Sequence, residues 1–484
     1  MNRKNWIGIG LAFLVLFIIL LLPNPDSLPL VGQRVLAVLA FAVVLWVTEA
    51  VPYPVSAVMI ISWLAVLVGL SPTIEDPTIM YGTKEALGMA IGGFSSTAVG
   101  LVAGALFLAA AMEITGLHKR IALFIMSKIG TKPSRLVIGT ITVSFVLALF
   151  VPSATARAGT IIPILLGIVA AFGLTKQSKL AALLVITAVQ SISIWNVGIK
   201  TAAAQNMVAL GFMQSEFGMD VAWGKWFMYA APWSILMSVM LFFVMTKLIK
   251  PEETNLAGGD SIQSQLQALG KMKPNEWRLI SISVALLFLW STEGIFHPLD
   301  STTVTIIAVA IMLLPKVGIF TWKEVQAKIP WGTLVVFATG ISLGMVLLST
   351  EAATWLSSNT FEAMGLAGMS IVAIVAILAL FNILIHLGFA SATSLASALI
   401  PIVIALVTGM ESTSFNGPGL VLIMQFVISF GFLLPVNAPQ NMLAYGTETF
   451  TTKQLLKSGI PITVIGYLFI ILFSATYWQW VGLL

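Results

Sequence analysis

The chain has 484 residues, of which 58% are hydrophobic and only 9% charged, and its formal net charge is +5. A soluble protein of this length could not bury so much apolar surface, so the composition excludes a soluble globular fold and indicates an all-α polytopic membrane protein. The absence of cysteine and the presence of only three histidines exclude a disulfide framework and leave little scope for a metal cluster. The small basic excess fits cytoplasmic anchoring charges better than nucleic-acid binding.

The apolar segments are long enough to predict about eleven transmembrane helices, each needing about 20 residues. The first follows Arg3 and Lys4 and is interpreted as a retained helix, because no small-residue cleavage site follows it. A polar stretch, 250–276, is predicted to be a cytoplasmic linker between a first half, 1–249, and a second half, 277–484. The predicted spans are 6–22, 34–50, 54–72, 90–112, 180–214, 225–248, 278–295, 301–317, 330–350, 418–450 and 458–483.

Two further apolar stretches, 134–173 and 370–409, are each interrupted midway by a Ser-Ala-Thr triplet. The triplets begin at Ser153 and Ser391, which are 238 positions apart (391 − 153). Each arm of about 16 residues would extend roughly 24 Å as a helix, which is shorter than the hydrocarbon core of a bilayer. The pattern therefore predicts two re-entrant hairpins, each with a polar tip between two helical arms.

The distribution of charge predicts that the two hairpins enter the membrane from opposite faces. Lysines and arginines flank the first hairpin, whereas no lysine or arginine lies between Lys328 and Lys453. Since positive charge marks cytoplasmic segments, the first hairpin opens inward and the second outward. The N-terminus is then cytoplasmic and the C-terminus external. Inverted repeats of this kind are typical of elevator-type carriers that bind substrate near the membrane midplane.

The spans 180–214 and 418–450, which follow the hairpins, are predicted to be broken helices. Gly198, Pro435 and Pro439 would interrupt them, and unwound backbone at membrane depth is tolerated only when it is buried in protein or lines a cavity. A Gln-Asn-Met string at 205–207 returns at 440–442, and a Leu-Trp-x-Thr-Glu string at 45–49 returns at 289–293. Gln205 and Gln440 either line the cavity or form hydrogen bonds between helices.

The tips and breaks supply the candidate binding groups. The N-terminus of a helix favours an anion, so two facing tips can hold the two ends of a dicarboxylate; alternatively, their Ser and Thr residues only cap the second arms. Arg157, His386 and Lys200 lie where a charge costs at least about 2.5–3.5 kcal/mol. The predicted substrate-binding residues are Ser153, Ala154, Thr155, Arg157, Gly198, Lys200, Thr201, His386, Ser391, Ala392, Thr393, Asn437, Ala438 and Pro439.

Each ionisable residue also has a structural interpretation. Arg157 can bond to hairpin carbonyls, and His386 can be a neutral structural histidine. Lys200 can extend to the membrane surface if the helix break lies elsewhere. Glu49 and Glu293, each beside a tryptophan near a membrane boundary, are interpreted as structural or interfacial.

At these residues the chain resembles the divalent anion/sodium symporter family (INDY), over nearly its whole length. The resemblance implies a homodimer, a scaffold domain, a transport domain that moves like an elevator, and carboxylate substrates such as succinate, malate, 2-oxoglutarate or citrate. The family's symporters carry Ser-Asn-Thr at both tips, where this chain has Ala154 and Ala392 in place of Asn. The Pro-Ser-x-Thr-Ala-Arg string, with a histidine in the second half, is similar to the exchanger branch of citrate/succinate antiporters and plastid 2-oxoglutarate/malate translocators.

The two alanines remove amide oxygens that the resemblance implies for sodium binding, and a hard cation requires several oxygen ligands. We therefore expect that Arg157, with His386 or Lys200, replaces the sodium charge, that no cofactor or metal is needed, and that the protein exchanges carboxylates across a bacterial inner membrane. A sodium- or proton-coupled symporter is the alternative. An intramembrane enzyme and a cation/proton antiporter are disfavoured, since the chain has neither the catalytic motifs of the first nor the midplane carboxylate of the second.

Overall fold

A computed structural model describes residues 3–251, 259–361, 365–366, 368–410 and 415–484. Its α-helices are, in chain order, α1 (Arg3–Leu21), α2 (Leu30–Thr48), α3 (Tyr53–Gly69), α4 (Thr83–Ile91), α5 (Thr97–Thr115), α6 (Leu117–Ile129), α7 (Pro133–Phe150), α8 (Ala154–Ala171), α9 (Lys179–Gly198), α10 (Ala204–Phe217), α11 (Trp223–Leu248), α12 (Gly259–Ala268), α13 (Pro274–Ser291), α14 (Ser301–Leu313), α15 (Trp322–Gln326), α16 (Trp331–Ser349), α17 (Ala352–Phe361), α18 (Ile371–His386), α19 (Ala392–Gly409), α20 (Gly417–Ile428), α21 (Pro439–Tyr445), α22 (Thr452–Ala475) and α23 (Tyr477–Trp480).

The all-α polytopic fold predicted from the composition is confirmed. Within the described ranges, ten helices are long and apolar enough to cross a membrane. Three of these ten are hairpin arms, namely α7, α8 and α19. Several predicted spans are shorter than expected, including α3, α14 and α20, because proline, glycine or a polar cap ends the helix early.

Both hairpins form where the polar triplets interrupt the apolar stretches. The first consists of α7 and α8 and the second of α18 and α19, with arms of 16 to 18 residues. At 1.5 Å per residue these arms are about 24–27 Å long. A serine hydroxyl caps the second arm of each: Ser153 accepts from the Ala156 amide, 3.2 Å, and Ser391 from the Ser394 amide, 3.3 Å.

Both helices that follow the hairpins are broken near the predicted residues. The first break separates α9 from α10 and contains a 3₁₀ turn, Lys200–Ala202. The second separates α20 from α21 and contains the 3₁₀ turn Pro435–Asn437. The backbone angles at the two exits are nearly the same, φ −147° and ψ 141° at Ala203 against φ −151° and ψ 138° at Ala438.

The segment predicted as one span at 90–112 is instead broken. Helix α4 ends at Ile91, a 3₁₀ turn occupies Gly92–Ser95, and α5 begins at Thr97 after the Ser96 cap. Gly93 places this turn directly against α16: a Cβ there would lie 2.3 Å from the Ala338 carbonyl oxygen. Its amide also donates to the Ser342 hydroxyl, 3.0 Å. The close approach of this turn to α16 thus requires glycine at position 93.

Part of the predicted linker, 252–258, lies outside the described residues, and a further part forms α12. The linker is joined to α6 by an ion pair. The Arg120 Nε lies 2.7 Å from a Glu276 oxygen, and other guanidinium nitrogens donate to the Gly270 and Leu269 carbonyls. Glu276 also accepts from the Lys273 amide, 2.7 Å, and so caps α13.

The helices form two bundles that meet along α5 and α16. We call α7–α11 and α18–α23 the hairpin bundle, and α1–α5 with α13–α16 the flanking bundle. A Cβ at Gly340 of α16 would lie 2.1 Å from the Ser397 hydroxyl oxygen of α19. A Cβ at Gly344 would lie 2.3 Å from the Phe212 ring and 2.7 Å from the Pro401 ring. Two glycines one turn apart therefore let the bundles pack backbone against side chain.

Candidate substrate-binding cavity

A cavity of about 490 Å³ lies between the two bundles. The tips of both hairpins and both helix breaks form one wall, and α3, α5 and α16 form the other. Of the residues predicted from the sequence, Ser153, Ala154, Thr155, Thr201, His386, Ser391, Ala392, Thr393, Asn437, Ala438 and Pro439 line this cavity. Residues from two distant parts of the chain thus converge on one space.

The two tips have the same local geometry. Ser153 has φ −138° and ψ 114°, and Ser391 has φ −138° and ψ 117°. The first turns of α8 and α19 begin at the following residues, so the free amide groups of two 18-residue helices start at the cavity wall. Such helix N-termini favour carboxylates through their unpaired donors and their dipoles.

An asparagine that recurs in both repeats stabilises each helix break by hydrogen bonds. The Asn206 side-chain amide donates to the carbonyls of Asn196, 2.8 Å, Ile199, 3.2 Å, and Lys200, 3.2 Å. In the second repeat, the amide of Asn441 donates to the Gly431 and Leu434 carbonyls, at 2.7 and 3.2 Å. These bonds satisfy carbonyls that the interrupted helices leave without partners. Both asparagines belong to the Gln-Asn-Met repeat.

The adjacent glutamines link the two repeats. Gln205 donates to the Ser429 hydroxyl, 3.3 Å, and Gln440 donates to the Ser193 hydroxyl, 3.0 Å. All four side chains are buried, and both glutamines also line the cavity. These glutamines therefore both line the cavity and form hydrogen bonds between helices.

Arg157 lies behind the first tip and does not line the cavity. It is fully buried, and its Nη2 donates to the Asn196 side-chain oxygen and to the Ala202 carbonyl, 2.9 Å for the latter. Its Nε and Nη1 have no hydrogen-bond partner within the described parts of the chain. The guanidinium therefore reaches the cavity wall through Asn196, which does line it.

His386 makes the matching contact in the second repeat. Its Nε2 lies 3.1 Å from the Asn437 carbonyl oxygen, and the Asn437 side-chain amide donates to the His386 carbonyl, 2.8 Å. Ala202 and Asn437 are equivalent positions, 235 residues apart (437 − 202), each at the end of a 3₁₀ turn. In each repeat, therefore, a side-chain nitrogen lies within hydrogen-bonding distance of the equivalent backbone carbonyl.

Two other predicted residues face away from the cavity. Lys200 is 2% exposed, and its Nζ lies 3.4 Å from the Asp220 carboxylate. Gly198 packs against α11, where a Cβ would lie 2.8 Å from the Ser234 hydroxyl oxygen. The lysine thus has a carboxylate partner of its own, and the glycine permits close packing.

Two polar residues on the opposite wall of the cavity were not predicted from the sequence. Tyr53 and Thr333, from α3 and α16, both line it. The Tyr53 hydroxyl donates to a Glu49 oxygen, 3.2 Å, although Glu49 was interpreted as structural or interfacial. The sequence feature that could have predicted this contact is a Glu and a Tyr four residues apart, at a helix start marked by proline. No group of three or more His, Cys, Asp or Glu residues suited to a metal is present among the described residues.

A cavity lined by two polar hairpin tips and two helix breaks, inside an apolar helical bundle, defines a multi-pass membrane transporter. Residues 3–484 match the family described as the sodium:sulfate symporter transmembrane region. The chain belongs to this family, and the resemblance to the divalent anion/sodium symporters is confirmed. It is a transporter and not an enzyme.

Several relatives match almost the entire chain. A membrane protein of Cupriavidus necator is 49% identical over a region that covers 99% of this chain and 93% of the relative. The sodium-dependent dicarboxylate transporter SdcS of Staphylococcus saprophyticus is 28% identical, with coverages of 97% and 91%. A citrate/succinate antiporter of Escherichia coli is 27% identical, covering 93% of each chain.

The fold also resembles a solved structure. The YdaH transporter of Alcanivorax borkumensis superimposes with a TM-score of 0.59 at 14% identity, covering 89% of this chain and 98% of that one. At this identity the likeness concerns the fold alone.

Proposed function

We propose that this transporter exchanges di- or tricarboxylates across the bacterial inner membrane without sodium. The observation that carries the proposal is the placement of Arg157 and His386 on the equivalent carbonyls of Ala202 and Asn437. A bound cation would use such break carbonyls as oxygen ligands. With side-chain nitrogens on both, and alanine at the centre of both tips, the site retains few ligands for sodium.

The substrate carboxylates bind at the two tips in this proposal. The hydroxyls of Ser153, Thr155, Ser391 and Thr393, with the amides that begin α8 and α19, supply donors from two sides. The Arg157 guanidinium supplies positive charge behind the first tip. A doubly charged anion gains from both, because charge-assisted hydrogen bonds are stronger in a poorly hydrated site.

Exchange follows from the permanence of this charge. A sodium ion leaves with the substrate, but a guanidinium stays. Moving the empty site through the membrane would then carry an uncompensated charge through a medium of low dielectric constant, which is unfavourable. In the loaded site, one substrate carboxylate offsets the guanidinium charge and the donors of the two tips bind the other carboxylate. The loaded site therefore crosses, and one substrate is transported only in return for another.

The proposed movement is a displacement of the hairpin bundle against the flanking bundle in a homodimer, with the substrate held between the tips. In the proposed orientation the N-terminus and the linker at 250–276 are cytoplasmic and the C-terminus is external. The glycines of α16 at the boundary support a sliding contact, since small residues let helices pass closely.

Uptake of labelled succinate or malate into proteoliposomes tests the proposal. Uptake that requires an internal dicarboxylate, and is equal in sodium and choline buffers, is expected. Uptake into empty vesicles that depends on a sodium gradient would contradict it and favour a symporter. The symporter is the second candidate because the relative SdcS is a sodium-dependent dicarboxylate transporter.

A further inference from the structure

The side-chain amide of Asn196 lies between Arg157 and the cavity. The Arg157 Nη2 donates to the side-chain oxygen of Asn196. A guanidinium has donors and no acceptor, so the oxygen of this amide, and not its nitrogen, faces Arg157. Because the oxygen and the nitrogen diverge from the same carbon, the Asn196 nitrogen is directed away from the guanidinium.

This nitrogen is open to the cavity. It donates no hydrogen bond within the described parts of the chain, and it is not one of the enclosed polar atoms there that lack a partner. The residues at 180–198 of α9 are all buried, so this part of the helix presents no outer surface to lipid or water. Asn196 is 3% exposed and lines the cavity. Its side-chain nitrogen is therefore a hydrogen-bond donor that faces the cavity.

The second repeat has glycine at the position equivalent to Asn196. Asn206 donates to the Asn196 carbonyl over 2.8 Å. In the second repeat, Asn441 donates to the Gly431 carbonyl over 2.7 Å, and both offsets are 235 residues (441 − 206 and 431 − 196). Gly431 also lines the cavity, but it has no side chain. The two repeats therefore contribute different groups at the same place in the cavity wall.

The asparagine of the second break does not supply the missing donor. The side-chain nitrogen of Asn437 donates to the His386 carbonyl, 2.8 Å, and its oxygen accepts from the Leu434 amide, 3.0 Å. Both polar atoms of this side chain are thus engaged by the protein. An asparagine donor with a guanidinium behind it is a property of the first repeat.

We propose that Asn196 binds one substrate carboxylate and that Arg157 is the positioning residue that turns the Asn196 nitrogen toward it. The guanidinium also polarises the amide, since hydrogen bonds in a chain strengthen one another at low dielectric. The substrate end at the first tip must then be an ionised carboxylate. The end beside Gly431 has more room and lacks this donor, so the two ends of the cavity differ in selectivity. This inference deepens the proposed carboxylate binding and rests on it.

Asn196→Asp tests the assignment because it replaces the donor that faces the cavity by an acceptor of the same size. The second carboxylate oxygen still accepts from Arg157, so the contact behind the cavity is kept. The measurement is the dissociation constant of succinate and of its monoamide, succinamate, obtained from the rise in melting temperature that each ligand produces in detergent.

The variant should lose affinity for succinate more than for succinamate. We expect the dissociation constant of succinate to rise about 10- to 150-fold, the effect of losing one hydrogen bond to a charged group. Succinamate can donate its own amide to the new carboxylate, so the preference for succinate should fall about tenfold or more. Wild-type binding of succinate would overturn the proposal, and so would equal weakening of both ligands, which indicates a purely structural role.

Two further variants complete the test. Asn196→Ala introduces no buried carboxylate and decides the matter if the aspartate variant does not fold. It should also weaken succinate binding about tenfold or more, and wild-type binding in it would overturn the proposal. Asn359→Asp changes an exposed asparagine outside the cavity and should keep both dissociation constants.

Failure of the proposed function would be visible in the wild-type protein. Succinate would then not raise its melting temperature, or uptake into proteoliposomes would not require an internal dicarboxylate. A wild-type exchanger that binds succinate, together with unaffected Asn196 variants, refutes only the role of Asn196.

Discussion

Asn206 and Asn441 occupy equivalent places in two helix breaks 235 residues apart (441 − 206), and each donates its side-chain amide to the carbonyls of its own break. The same asparagine therefore stabilises both interruptions of helix that form the cavity wall. The breaks are built by matching side-chain contacts and not by glycine and proline alone, since Asn206 and Asn441 replace the backbone donors that the interrupted helices lack.

Replacing either asparagine by alanine should destabilise the protein. Each change leaves two or three buried carbonyls without a donor, and we expect a loss of about 1–3 kcal/mol in the free energy of unfolding. Asn206→Ala should have the larger effect, because Asn206 also accepts from Gln425, 3.2 Å. Thermal melting in detergent measures this. The control is Asn359→Ala, which changes an exposed asparagine. Wild-type melting temperatures for both Asn206→Ala and Asn441→Ala would show that these asparagines do not stabilise the breaks.

Arg157→Met should strongly reduce exchange while leaving the fold intact. The methionine keeps most of the buried volume but removes the positive charge, and we expect uptake to fall roughly 10- to 150-fold, the range for hydrogen bonds to charged groups. Stability should be equal or higher, because burying a charge is unfavourable. Counterflow of labelled succinate and thermal melting give the two readouts.

Arg278→Ala is the matched control, since Arg278 donates to a loop carbonyl, 2.9 Å. Normal exchange in Arg157→Met would contradict the proposed charge substitution.

Gly340→Ala should disturb the contact between the two bundles. The new Cβ would lie 2.1 Å from the Ser397 hydroxyl oxygen, and overpacking of this kind costs about 1–3 kcal/mol. Combining Gly340→Ala with Ser397→Gly should recover part of that loss, because the second change removes the side chain that the new Cβ would meet on the opposite helix. A double-mutant cycle on melting and uptake measures the coupling. Additive losses would show that the two positions do not interact.

The ion pair between Arg120 and Glu276 should make stability depend on pH. Burial acts to raise the pKa of Glu276, but hydrogen bonds from Arg120 and the Lys273 amide outweigh it, so the pKa lies below the ordinary value of 4.5. A carboxyl with a lowered folded-state pKa stabilises the fold above its ordinary pKa, and this contribution is lost as the pH falls through the folded value.

Melting of wild type and Glu276→Gln between pH 7 and about pH 3 checks this dependence. The variant should melt lower at neutral pH and converge with wild type in acid. Parallel curves at all pH values would mean that Glu276 contributes no stability through ionisation.

The positions of the hairpins and breaks could be predicted because they follow from local chemistry. Ser153 and Ser391 interrupt long apolar stretches, and an unpaired polar group in a membrane helix requires a tip or a break. The break at 90–112 could not be found in this way. The turn at this break packs against α16 through Gly93, a contact between segments about 250 residues apart that no local pattern shows.

The sequence by itself determined that this is a helical membrane protein with repeated halves, two hairpins and two broken helices, because hydropathy, helix-breaking residues and repeat spacing act over short distances along the chain. Only the tertiary structure decided which side chains reach the cavity. Lys200 and Thr201 are adjacent, yet Lys200 faces Asp220 while Thr201 lines the cavity. Tyr53 joins the site although 338 positions separate it from Ser391 (391 − 53). The direction of a side chain in an unwound segment depends on the packing of its neighbours, which no local pattern specifies.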